Sequence, residues 1–128
     1  MRLLIDSHAL LWFDEGNQRL GAKAQAMMSD PGNELLLSAA SIWEIAIKVS
    51  LGKLRLLEPF DVYMQRVIHN NGLVNLPISL SHAQTLITLP FHHRDPFDRL
   101  LIAQAMVENL PILSADTLFD KYPITRLW

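Results

Sequence analysis

The stretch Leu35-Leu36-Leu37-Ser38-Ala39-Ala40-Ser41-Ile42-Trp43-Glu44-Ile45-Ala46-Ile47-Lys48-Val49-Ser50-Leu51-Gly52 changes its apolar period part-way along. Three successive leucines read as a short buried strand. Ile42, Ile45, Ala46 and Val49 then recur at i, i+3, i+4, i+7, which puts them on one face of a helix that ends near Gly52. The same alternation extends in both directions. Arg2 to Ile5 reads as a strand, and Leu20 to Met28 as a short helix closed by Asp30-Pro31-Gly32-Asn33. Phe60 to Ile68 reads as a helix stopping at Asn70-Asn71-Gly72, Leu73 to Leu76 as a strand, and Ser79 to Leu89 as a helix. Asp95-Pro96 is a helix start, with Asp as N-cap and Pro in the first turn. The helix it opens runs to about Asn109 and is apolar on most sides (Phe97, Leu100, Leu101, Ala103, Val107), so it should be well buried. Pro111-Ile112-Leu113 and Ile124 to Trp128 complete the set as short strands. Strands alternating with helices predict a three-layer α/β/α domain with a central, mainly parallel sheet.

The chain has 128 residues, a length that suits a single domain over 1–128. Half of the residues are hydrophobic and mean hydropathy is +0.17, which excludes a disordered composition. No apolar run reaches the roughly 18 residues of a membrane span, and Asp6 and His8 interrupt the first one, which argues against a secretory signal. The absence of cysteine removes disulfides, thiolate–metal sites and cysteine nucleophiles, and suits a reducing cytoplasm. The formal charge of −2 argues, at face value, against nucleic acid.

In open parallel sheets, ligands bind beyond the carboxyl ends of the strands. Asp6 follows the first strand, Glu44 falls in the first turn expected of the helix after the second, Asp98 in the first turn of the long buried helix, and Asp116 just after Leu113. Each has a structural explanation: Asp6 as a cap, Ser41-x-x-Glu44 as a capping box with a Glu44–Lys48 pair, Asp98 at a helix dipole, Asp116 as cap of the turn Thr117 to Asp120. Four acids at corresponding places nevertheless predict a cluster whose repulsion needs a cation. All-oxygen ligation favours Mg²⁺, with Mn²⁺ as substitute, over zinc. Such a centre does phosphoryl chemistry. No phosphate-binding glycine loop, serine elbow or H-E-x-x-H zinc motif competes with it. His92-His93 read as a solvated loop with one ring packed, and Trp12, Phe13 and Trp43 as core or interface. With the four acids set aside, nine acidic residues face eleven basic ones, a net +2. Lys48, Lys53, Arg55, Arg94 and Arg99 become the candidates for holding phosphates.

Leu3-Leu4-Ile5-Asp6-Ser7-His8, Ser41-Ile42-Trp43-Glu44, Asp95-Pro96-Phe97-Asp98-Arg99-Leu100-Leu101-Ile102-Ala103 and Leu113-Ser114-Ala115-Asp116 resemble the four motifs of PIN-domain ribonucleases, and within them the VapC toxins of type II toxin–antitoxin pairs. The resemblance spans nearly the whole chain. It implies a Mg²⁺-dependent endoribonuclease, with Asp6 and Asp98 as metal ligands and Glu44 and Asp116 as the remaining acids. It places Ser7 and Ser114 as hydrogen-bond partners behind the ligands, with Asp95 either a cap or a contact to the site. It also implies a homodimer and a cognate antitoxin. The antitoxin would lie in a groove beside the acids, where a basic side chain competes with metal. The set Trp12, Phe13, Trp43, Phe91 and Trp128 is too large to be wholly buried in so small a domain, which fits a covered apolar patch. The rival readings are a housekeeping PIN nuclease, a non-catalytic PIN-like or receiver-like module, and a haloacid-dehalogenase-type phosphatase. The phosphatase needs a second Asp two positions after the first, where this chain has His8.

Overall fold

The computed structural model describes residues 1–128. In chain order its elements are β1 (Arg2–Ile5), α1 (Ser7–Glu15), α2 (Ala22–Ser29), β2 (Glu34–Ser38), α3 (Ala39–Ser50), α4 (Phe60–Asn70), β3 (Val74–Leu76), α5 (Leu80–Ile87), α6 (Pro96–Glu108), β4 (Ile112–Leu113), a 3-10 turn (Thr117–Lys121) and β5 (Arg126–Leu127). All the strand pairings are parallel, in the order β3-β2-β1-β4-β5. The strand order reverses direction between β1 and β4, which makes the carboxyl end of that pair the topological switch point.

Alternation along the strands builds two cores. Leu3, Ile5, Leu35, Leu37 and Leu113 meet Ala9 and Leu10 of α1, Ala24 of α2, Ile45 of α3 and Met64 and Val67 of α4. Leu4, Leu36, Leu76 and Ile112 meet Leu101, Ile102 and Ala105 of α6, together with Phe119 and Tyr122. The sheet is therefore covered on both faces, as the strand–helix alternation predicts. Leu3, Leu4 and Ile5 of β1 are all fully buried, and burial of such side chains stabilises the sheet by roughly 2 kcal/mol each. No helix is long and apolar enough to cross a membrane.

One local expectation needs correction. The helix after β2 starts at Ala39, with the Ser38 hydroxyl accepting from Ala40 N–H as its cap. Ser41 and Glu44 are thus not a capping box, and Glu44 sits in the second turn, because β2 runs into α3 with no intervening loop. The segment after Asp6 is also helical from Ser7 onward and is closed by Gly16 in the left-handed region, φ 66°. Apolar periodicity did not pick out this helix.

Of the large apolar residues expected to be incompletely buried, Trp43 and Phe91 are the exposed ones, at 65% and 80%. Trp12, Phe13 and Trp128 pack partly against the core.

Candidate active site

β1, β2 and β4 are neighbours, so the residues following them meet at the switch point. Asp6 is buried, and its side chain makes no capping bond to α1. Instead its Oδ2 accepts from Ser114 Oγ at 2.8 Å and lies 3.2 Å from His8 Nδ1. Burial pushes the Asp6 carboxyl above its ordinary pKa, against the pull of His8 and the Ser114 hydrogen bond; Glu44 adds to the rise. Glu44 is buried as well. It accepts from Ser7 Oγ at 2.7 Å and pairs with Lys48 one turn later at 3.3 Å.

Asp98 is the third residue of α6 and differs from the others. Burial pushes its pKa up to about 8, and Asp6, Asp95, Glu44 and Asp116 all push the same way. All the leading influences on it therefore oppose its charge. Asp95 caps α6, accepting from Phe97 N–H at 2.8 Å, and acts on Asp98 through its charge. Asp116 also caps a turn: its Oδ1 accepts from Leu118 N–H at 3.0 Å. Its Oδ2 lies 2.8 Å from His93 Nε2. Ligand atoms of His93, Asp98 and Asp116 all fall within 4.8 Å of one another.

His93 is buried between Phe119 and Tyr122, with Nδ1 3.2 Å from the Tyr122 hydroxyl. The Tyr122 hydroxyl accepts from the His93 backbone N–H at 3.0 Å and donates to the Pro90 carbonyl at 3.3 Å. With its ring proton on Nε2, His93 donates to Asp116 and orients it, and the nitrogen that faces the acids offers no lone pair to a cation.

A groove of about 400 Å³ opens beside Glu44 and is lined by Ile47, Lys48, Lys53, Arg94 and Phe97. Three of the expected phosphate contacts therefore share one surface. Arg55 does not; it lines a separate cavity with Trp12 and Tyr63. Arg99 is a correction. It is buried, donates to the carbonyls of Leu86, Leu89 and Pro90, and stacks on Phe91 at 3.8 Å. Adjacent residues on a helix point in different directions, so Asp98 faces the acids while Arg99 ties down the segment between α5 and α6.

The family model of the PIN domain matches residues 3–124, from β1 to just short of β5. The chain belongs to the PIN-domain family. Among curated proteins, this PIN domain is similar to ribonuclease VapC22 of Mycobacterium tuberculosis, 28% identical over 115 residues, covering 89% of this chain and 86% of that protein. It is 44% identical to ribonuclease VapC16 of the same organism over 71 residues, which cover 52% of this chain and about half (49%) of VapC16. Its fold is that of VapBC2 from Rickettsia felis, solved on a DNA fragment from its promoter. The TM-score is 0.75 with 13% identity, over 99% of this chain and 98% of that one.

Within the PIN domain, Asp98 and Asp116 approach each other, while Asp6 and Glu44 reach Asp98 through charge. Ser7 and Ser114 bond Glu44 and Asp6 respectively. His93 and His8 are the two contacts that sequence reading missed. The packed ring expected of His92-His93 is His93, but its tie to Asp116 spans 23 residues and leaves no local signal.

Proposed function

We propose that this chain is a divalent-metal-dependent endoribonuclease, the toxin of a toxin–antitoxin pair, acting as a single PIN domain over residues 1–128. One observation carries the chemistry: Asp98 lies among four other acids, and neither a donor nor a cation is prominent in offsetting its charge. The donor set is oxygen-rich and anionic, which fits a hard cation such as Mg²⁺ or Mn²⁺. Asp6, Asp98, Glu44 and Asp116 would hold it. When bound, the cation lowers the pKa of a water molecule and steadies charge at a phosphodiester. Lys48, Lys53 and Arg94 line the adjoining groove and would hold flanking RNA phosphates. Ser7, Ser114 and His93 keep the carboxylates in place.

The similarity to VapC16 and VapC22 supports RNA as substrate. The fold shared with VapBC2 supports an antitoxin that covers the groove, and the same reading takes the active form as a cytoplasmic homodimer. Inducible expression with and without the gene encoded beside it, followed by mapping of RNA ends, tests this reading. New, discrete RNA ends that vanish on co-expression are expected. Ends that persist with the partner present would leave a nuclease outside a toxin–antitoxin pair, and no new ends would refute the ribonuclease.

A further inference from the structure

The segment joining α5 to α6 has no regular structure, yet it is fastened from behind along most of its length. Leu89 is buried in the core beneath α6. The Arg99 guanidinium donates to the carbonyls of Leu89 at 3.2 Å and Pro90 at 2.9 Å. The Tyr122 hydroxyl bonds both the Pro90 carbonyl and the His93 backbone N–H, and the His92 ring meets the Tyr122 ring edge-on at 5.0 Å. His93 is buried and tied to Asp116, and Asp95 caps α6. This scaffold holds Phe91, His92 and Arg94 out to solvent. Phe91 is 80% exposed, and the Arg99 guanidinium lies over one face of its ring, 3.8 Å from the centre. Arg94 lines the groove beside Glu44 together with Lys48 and Lys53. A lone exposed apolar side chain is ordinary. An aromatic ring mounted on a braced loop at the rim of a cationic groove is an arrangement for binding.

We infer that this segment is a base-reading loop: Phe91 stacks on one unpaired base beside the scissile phosphodiester while Arg94 holds a neighbouring phosphate. The inference rests on the ribonuclease reading above and adds a specificity-determining residue to it. Proteins grip single-stranded RNA by stacking splayed bases on aromatic rings, with cations along the backbone. Phe91 and Arg94 supply one of each on the same short loop. Arg99 fixes the ring before RNA arrives, so little side-chain freedom is lost on stacking. Lys48, Lys53 and Arg94 in the adjoining groove complement a polyanion rather than an apolar protein surface. Every base has a face that can stack, so the preference at this position is modest and follows stacking strength.

Cleavage kinetics on a short single-stranded RNA with one mapped cut test this. Phe91→Ala should raise KM about tenfold, with much the smaller change in kcat, because a stacked base is held in ground and transition states alike. Phe91→Leu is apolar but not aromatic and should behave like Phe91→Ala. Phe91→Trp should restore the wild-type KM. Removing the base from single nucleotides on either side of the cut gives a second measurement that needs no variant to fold. At one position the abasic RNA should raise the wild-type KM about tenfold and add nothing further in Phe91→Ala. A wild-type KM in Phe91→Ala or Phe91→Leu, a loss confined to kcat, or an abasic loss that adds in full to the alanine loss overturns the inference. Phe91→Ala that keeps its KM but lowers the oligomeric state in light scattering also overturns it, and makes the ring a contact between copies of this chain. Wild type that cuts no RNA overturns the ribonuclease reading itself, whereas wild type that cuts RNA with a KM indifferent to Phe91 overturns only the role of the loop.

Discussion

Two groups of acids in this molecule have opposite fates. On the α1–α4 side, Arg66 sits between Asp14 and Glu58, with N–O distances of 2.9 and 2.7 Å, and the charges balance locally. At the carboxyl end of the sheet, Asp6, Glu44, Asp98 and Asp116 gather with Lys48 as the cation paired to Glu44. A cavity of about 400 Å³ adjoins each group, so size does not separate them. Charge balance does. A compensated cluster holds two helices together, whereas an uncompensated one keeps its ligand capacity for something that arrives from solution.

The largest expected effect comes from removing a charge at the uncompensated site. Asp98→Asn and Asp6→Asn should lower metal-dependent RNA cleavage by well over tenfold, more than about 1.4 kcal/mol of transition-state stabilisation. Circular dichroism should show both variants folded, since each change keeps the side-chain volume. Asp98→Asn cleaving at the wild-type rate would erase the distinction between the two groups.

Next in size is stabilisation by metal. Mg²⁺ or Mn²⁺ should raise the melting temperature of the wild type, because a ligand of the native state stabilises it by mass action and here also relieves repulsion. The rise should shrink in Asp6→Asn and Asp98→Asn. Equal rises in all three proteins would put the metal elsewhere.

A smaller effect should follow pH in metal-free protein. The folded pKa of Asp98, about 8, stands above the ordinary 3.8, so the folded state holds the extra proton between those values. Stability is therefore fully present at the acidic end and falls as pH rises from about 4 toward 8. Melting temperatures in a chelating buffer should drop from pH 5 to pH 8, and drop less in Asp98→Asn. Identical slopes would show that Asp98 titrates normally.

The smallest effect is expected at the compensated group. Arg66→Met should cost little stability, as part-exposed ion pairs do, and should leave cleavage and the Mn²⁺ response unchanged. A loss of cleavage there would mean that both groups belong to one site.

The difference between the two groups was only partly legible in the sequence. Strands β1 and β2 and helix α6 announce themselves through apolar runs and Asp95-Pro96, and with parallel pairing they bring the four acids to one edge. The start of α3 was misread because both Ser38 and Ser41 are competent caps, and the choice between them is made by the length of β2 in the sheet. Arg99 was misread because its place beside Asp98 says nothing of the carbonyls its guanidinium reaches, Leu86 in α5 and Leu89 and Pro90 just after it. The ties from His8 to Ala115 and from His93 to Asp116 join distant segments, and only tertiary packing creates them.

Electron paramagnetic resonance of Mn²⁺ titrated into metal-free protein tests the central claim most directly. Free Mn²⁺ gives a sharp spectrum that protein binding suppresses. Wild type should suppress it to saturation, and Asp98→Asn should leave most of the signal free at the same concentrations. Equal suppression by the two proteins would contradict the assignment of the crowded carboxylates as the metal site.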